Sequence, residues 1–195
     1  MSDLDKKETP RAVFLFSGHM IDAPGRANPR FPPNKSDLAA AAIAAQLDQL
    51  QAGSADLALC GGACGGDLLF ADECLKRGMK LEIRIPFAEP EFISKSVSFA
   101  GPEWCALFAR VKKHPRTQLF IMPDELGPLP PGVNPYARNN LWQLESALTW
   151  GAEKLRFICL WNRQTSDGPG GTEQIYDAVR QYTEEVYVLD TTKLW

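Results

Sequence analysis

The chain has 195 residues, of which 45% are hydrophobic and 23% charged, with a formal net charge of -3; this is enough apolar material for one sizeable core, and a single domain is expected. The mild acidity offers no basic field for nucleic acid or an anionic membrane surface. No apolar run approaches the ~18 residues of a membrane span, and the polar start MSDLDKKETPR differs from a basic-then-apolar signal peptide, so a cytoplasmic protein is expected.

Residues 1–10 read as a flexible polar tail ahead of a domain over 11–195. Ala12 to Phe16 (AVFLF) is a continuous apolar run of the kind buried on both faces, and it predicts a central first strand. Ser17 to Lys35 holds four prolines and two glycines, which makes a long, irregular connection of the functional type. Ser36 is the expected N-cap of a helix to Leu50, with an apolar stripe at positions 39, 43, 47 and 50. Leu57 to Cys60 is a second strand, followed by a glycine-rich turn, a helix from Asp67 to Arg77, and Gly78 at its left-handed cap.

Lys80 to Ile85 (KLEIRI) predicts a third strand, and the aromatics between Glu89 and Lys113 predict two short helices. Thr117 to Met122 is a fourth strand, Pro123 to Tyr136 a second long loop, and Ala137 to Trp150 a helix with Leu141, Leu144 and Leu148 on its apolar face. Leu155 to Trp161 (LRFICLW), a loop, a helix from Thr172 to Thr183 and a strand from Val186 to Leu189 complete the chain. Strand and helix alternate throughout, which implies an α/β fold: a single Rossmann-like three-layer domain with a mostly parallel sheet of about six strands. In such sheets ligands lie beyond the carboxyl ends of the strands, which selects the loops after strands 1, 2, 4 and 5.

Those loops carry the candidate residues. Gly61, Gly62, Ala63, Gly65, Gly66 and Asp67 form a turn that opens a helix, where backbone N–H groups and the helix dipole favour an anion. The same residues equally suit a tight turn with close helix packing, and Asp67 suits a helix-start cap as well as a ribose contact. Gly170, Gly171 and Thr172 open a later helix in the same way, either as a phosphate cradle or with Thr172 as an ordinary N-cap. Ser17, Gly18 and His19 stand at the mouth of the first strand, with His19 a candidate acid, base or nucleobase contact. Arg26 and Arg30 are candidate anion clamps from the following loop, or simply solvated. Five cysteines, mostly inside apolar segments, read as reduced thiols; the Cys60/Cys64 pair lacks the further ligands of a zinc site, so no metal and no cofactor are expected.

With these motifs placed, the chain resembles the SLOG superfamily, the Rossmann-like group that includes LOG-type ("Lonely guy") cytokinin-activating phosphoribohydrolases and the DNA-processing protein A family. The resemblance rests on LALCGGACGGDLLFADECLKRGMKLEIRIPF and on YARNNLWQLESALTWGAEKLRFICLWNRQTSDGPGGTEQIYDAV, whose PGG-T segment is similar to a PGGxGTxxE turn. It implies a nucleotide or nucleotide-derived ligand, with Arg138 matched to the family's catalytic arginine. The family's glutamate position is occupied by Ile175, and one glycine of the turn is missing. Glu145 and Glu173 are the carboxylates left to stabilise a ribosyl cation or activate water. The expected function is therefore binding of a nucleotide-type signal, with N-glycosidic hydrolysis as the alternative, and the expected partners are a small nucleotide-type ligand and a second copy of the chain.

Overall fold

The computed structural model describes residues 9–165 and 170–195, so most of the expected tail and positions 166–169 of the last long loop lie outside the described residues. Six strands form one all-parallel sheet: β1 (Val13–Gly18), β2 (Leu57–Cys60), β3 (Lys80–Ile85), β4 (Thr117–Ile121), β5 (Leu155–Trp161) and β6 (Val186–Asp190). Their order is β4-β3-β2-β1-β5-β6. The chain runs outward from β1 to the β4 edge and returns to place β5 on the other side of β1. The expected Rossmann-like three-layer domain is the observed architecture.

Burial of β1 on both faces explains its unbroken apolar run. Phe14 and Phe16 face one core cluster, with helices α1 (Ser36–Gln49), α2 (Gly66–Lys76) and α4 (Pro102–Lys112). Val13 and Leu15 face the other, with α6 (Pro135–Leu148) and α7 (Thr172–Val179). The aromatic-rich segment after β3 folds into α3 (Glu89–Ser96), a 3-10 turn and α4, with Phe92, Trp104 and Phe108 buried.

Several boundaries differ from expectation, among them the end of α7, which stops at Val179 rather than Thr183. Ser36 is inside α1 rather than its cap, because a 3-10 turn over Pro33–Lys35 precedes it and the Ser36 hydroxyl donates back to the Pro33 carbonyl. The loop expected over Pro123 to Tyr136 contains α5 (Met122–Leu126), and α6 starts two residues early. There Asn134 caps the helix by accepting the Ala137 N–H at 3.0 Å, and Pro135 fills the first position, where a missing N–H does no harm. A short α8 (Thr191–Leu194) follows β6, capped by Asp190.

The long connection after β1 is anchored rather than loose. Phe31 is fully buried and stacks on Trp195 at 5.4 Å, and full burial of such a ring is worth about 2–3 kcal/mol. Asp22 accepts the N–H groups of Arg30 and Phe31 at 2.8 Å each, which fixes Arg30 relative to the end of β1. No described helix is long and apolar enough to cross a membrane.

Candidate functional site

The strand order reverses between β1 and β5, and a cavity of about 310 Å³ opens there beyond the carboxyl ends of the strands. Its floor is the end of β1, with Ser17, Gly18 and His19. One wall is the first glycine turn, through Gly61, Ala63 and Asp67, and the facing wall is the start of α7, through Gly170, Gly171 and Thr172. The two turns singled out from sequence therefore stand at one end of the sheet and line one cavity. The Ser17 and Thr172 hydroxyls, 3.4 Å apart, tie the floor to the second turn.

The two turns differ inside. The Asp67 carboxylate accepts the Ala63 N–H at 3.3 Å, with backbone N–H groups of Gly18 and Gly61 also directed to it. A Cβ on Gly61 would stand 2.8 Å from Asp67 Oδ2, so glycine is what lets the carboxylate in. The Gly66 N–H at the start of α2 donates to the His19 carbonyl at 3.0 Å. Gly65 has φ +101, and a Cβ there would strike the backbone of Ile21 and His19, which pair with the turn through a Met20–Gly65 bridge.

The first turn is thus folded around this chain's own carboxylate and its own β1 loop. Gly62, Gly65 and Gly66 have close neighbours and are not among the residues that line the cavity, as in the tight-turn alternative for these glycines. The Asp67 side chain makes no cap of α2; its carboxyl is held by the turn's own N–H groups and lines the cavity.

The second turn has no such occupant among the described residues. Its N-cap is Gly171, which has no side chain to fold back onto the first turn of α7. Gly170 donates its N–H to the Gln174 side chain and accepts from Asn140 at 2.9 Å. A Cβ on Gly170 would come 2.7 Å from the Ala137 N, so the turn is pressed against the start of α6.

Ionisable groups on the lining set the field. Burial, then the Arg30 charge, lowers the His19 imidazole to about 4 against a weaker upward pull from Asn162, so His19 is neutral at pH 7. Its Nε2 lies 3.2 Å from the Asn162 N–H that donates to it, locking the loop after β1 to the loop after β5. Burial raises the Asp67 carboxyl to about 7, against the pull of its three N–H partners. Arg30 also lies on the lining, where a guanidinium suits an anionic guest.

The residues expected to do chemistry are elsewhere. The Arg138 guanidinium donates to the carbonyls of Leu126 and Pro128 at 3.0 and 3.2 Å, stitching the α5–α6 connection. Glu145 is exposed on the far side of α6, and Glu173 is off the lining. Arg26 pairs with Asp22 at 3.4 Å and donates to the Asn28 carbonyl, also away from the cavity. The face that α6 presents instead is Tyr136, Asn139, Asn140 and Gln143, a polar stripe at helical spacing. Asn139 and Gln143 are 4% and 2% exposed, and their amide oxygens have no hydrogen-bond partner among the described residues. Because Asn139 Nδ2 donates to the Arg84 carbonyl at 2.8 Å, its oxygen is the unmatched end. These two amides were missed from sequence, where the 136, 139, 143 spacing was the available signal.

A larger cavity of about 890 Å³ lies at the opposite, amino end of the strands. Its charged groups are engaged in structure: Asp56 holds Arg11 at 2.6 Å, Arg116 donates to the Met79 and Ser54 carbonyls, and Glu82 holds Arg84 at 2.6 Å. Among the described residues no group of three or more His, Cys, Asp or Glu could hold a metal ion, and all five cysteines are free. Comparison of the chain with protein-family models finds no match, and comparison with curated proteins finds none either.

Proposed function

We propose that this chain binds a nucleotide or nucleotide-derived ligand in the 310 Å³ cavity, as a binding or sensing domain of SLOG type. The observation that carries the reading is the asymmetry of the two turns at one switch point. The first is already filled by Asp67, while the second offers a helix start with a glycine cap, the Ser17 and Thr172 hydroxyls, and Arg30 on the same lining. The phosphate end of the ligand belongs at Gly170 to Thr172. Its uncharged polar end belongs toward Asn139 and Gln143, whose unmatched oxygens call for donors. The volume lies at the low end of small-molecule sites, ~300–1,000 Å³, and suits a mononucleotide better than a dinucleotide.

Binding is favoured over hydrolysis because Arg138, Glu145 and Glu173 do not reach the lining, which leaves Asp67 as the carboxyl there among the described residues. The test is a panel of nucleoside mono- and diphosphates, cyclic nucleotides and NAD derivatives, measured for thermal shift and for released base. Stabilisation without product is expected. Base release that vanishes in Asp67→Asn would establish a hydrolase, and no stabilisation across the panel would reject the nucleotide reading.

A further inference from the structure

Two loops meet at the proposed phosphate end of the cavity. Arg30 comes from the loop after β1, and Gly170 to Thr172 follow the loop after β5. The first of these leaves its strand through Ile21, which is buried and donates its N–H to the Cys64 carbonyl. It returns through Phe31. Between these two roots Asp22 closes the loop on itself: its N–H donates to the Phe31 carbonyl at 2.9 Å, and its carboxylate accepts the N–H groups of Arg30 and Phe31. The backbone of Arg30 therefore stands where the buried Phe31 ring puts it.

That ring is covered by a segment far away in sequence. After β6, α8 brings Leu194 and Trp195 onto the core cluster that contains Phe31. The Trp195 indole stacks on the Phe31 ring at 5.4 Å, with 22° between the planes. The same segment reaches the second loop. Asp190, which caps α8 by accepting the Thr192 N–H, lies 3.6 Å from the Arg163 guanidinium. Arg163 has φ +57, uncommon for a residue with a side chain, and follows Asn162, whose N–H donates to His19. An exposed ion pair contributes little, so the stack on Phe31 is the stronger of the two links.

We propose that Trp195 is a positioning residue of the ligand site: seated on Phe31, it holds Arg30 at the phosphate end of the cavity and so sets the affinity for an anionic ligand without touching it. This rests on the reading of the cavity as the site of a phosphate-bearing nucleotide. Trp195 is not among the residues that line the cavity. A side chain that only filled the core would change stability and leave Arg30 in place, and two measurements separate the roles.

The first needs no ligand. His19 feels the charges of Arg30, Asp22 and Arg26 and bonds to Asn162, and with His114 as the one other histidine its titration is followed by NMR. Trp195→Ala should raise the His19 titration by about one pH unit, as Arg30→Ala does, because the Arg30 charge withdraws. Trp195→Phe, which keeps a ring on Phe31, should leave it in place, and in the Arg30→Ala background Trp195→Ala should add nothing. The second is isothermal titration with AMP, GMP, CMP and UMP beside their nucleosides. Trp195→Ala should weaken the mononucleotides about tenfold and the nucleosides less than about twofold, and Trp195→Phe should restore the parent values. Asp190→Ala, which uncaps α8 and releases Arg163 but keeps Trp195, should give the same pattern at about threefold, and it carries both readouts if Trp195→Ala does not fold. An unmoved His19 titration overturns the proposal, as does an equal loss for nucleotide and nucleoside. If the parent binds none of these compounds, the nucleotide reading falls, and the His19 titration still decides whether Trp195 holds Arg30.

Discussion

The two glycine turns invite comparison because they are built from similar residues and stand at the same end of the sheet. At α2 the turn closes on Asp67, which accepts backbone N–H groups from the ends of β1 and β2. At α7 the N-cap is Gly171, and the cavity takes the place of the carboxylate. A helix start attracts negative charge whether it comes from a ligand or from the chain itself. A glycine turn is therefore evidence of an anion nearby, and the side chains around it decide whose anion it is.

The sharpest way to break this contrast is to give the second turn what the first already has. Gly171→Asp puts a carboxylate at the N-cap of α7, where Asp is a favoured residue. Binding of any phosphate-bearing ligand should fall by at least about 100-fold, while stability holds or rises by about 1 kcal/mol. Isothermal titration beside thermal melting checks both, and unchanged affinity would remove the phosphate from that turn.

Emptying the first turn tests the other half. Asp67→Ala leaves three backbone N–H groups facing a void and should destabilise the fold by about 3 kcal/mol. Its pH behaviour separates charge from packing. The folded Asp67 carboxyl titrates at about 7 against about 4 in an unfolded chain. Its contribution to stability is complete below about pH 4 and is lost as pH rises through about 7. His19 runs the other way: with a folded value of about 4 against about 6.5 unfolded, its contribution is present above about pH 6.5 and is lost as pH falls through about 4. The two slopes oppose each other between pH 4 and 6.5. Asp67→Asn removes one of them, so between pH 5 and 8 the variant should gain roughly 2 kcal/mol on the parent. Melting curves across that range would show parallel traces if Asp67 were not buried as described.

Smaller effects mark the limits of the site. Gln143→Ala should weaken ligand binding about tenfold by removing an amide from the lining. Arg138→Ala should leave affinity unchanged within about twofold and cost no more than about 1 kcal/mol, as its donors serve exposed loop carbonyls. A variant of Arg138 that abolished binding would return that residue to the site.

Much of this arrangement was legible in the sequence, and the exceptions share a cause. AVFLF announced the central strand because burial on both faces leaves no room for polar alternation, and Gly78 announced the end of α2. The switch-point rule then brought the two turns together. What the sequence concealed was helix phase and the source of the anion. On α6 a buried amide and a half-buried arginine are adjacent letters, Asn139 and Arg138, about 100° apart around the axis. Only the Asn134 cap and the packing of Leu144 and Ala147 fix which one faces inward. The Ala63 to Asp67 spacing likewise reads the same whether the turn receives a phosphate or folds on its own acid.

The pairing of β1 with β5 sets an order of events. Val13 lies beside Leu155 and Gly18 beside Leu160, so the strand that floors the cavity waits for a partner from the far end of the chain. Contacts of such long sequence separation form late, after the loop they close has lost its freedom. Strands β1 to β4 and the Asp67 turn can assemble during synthesis from consecutive segments. The second turn and Thr172 arrive with later segments, and the cavity is complete only when the sheet is closed on both sides of β1.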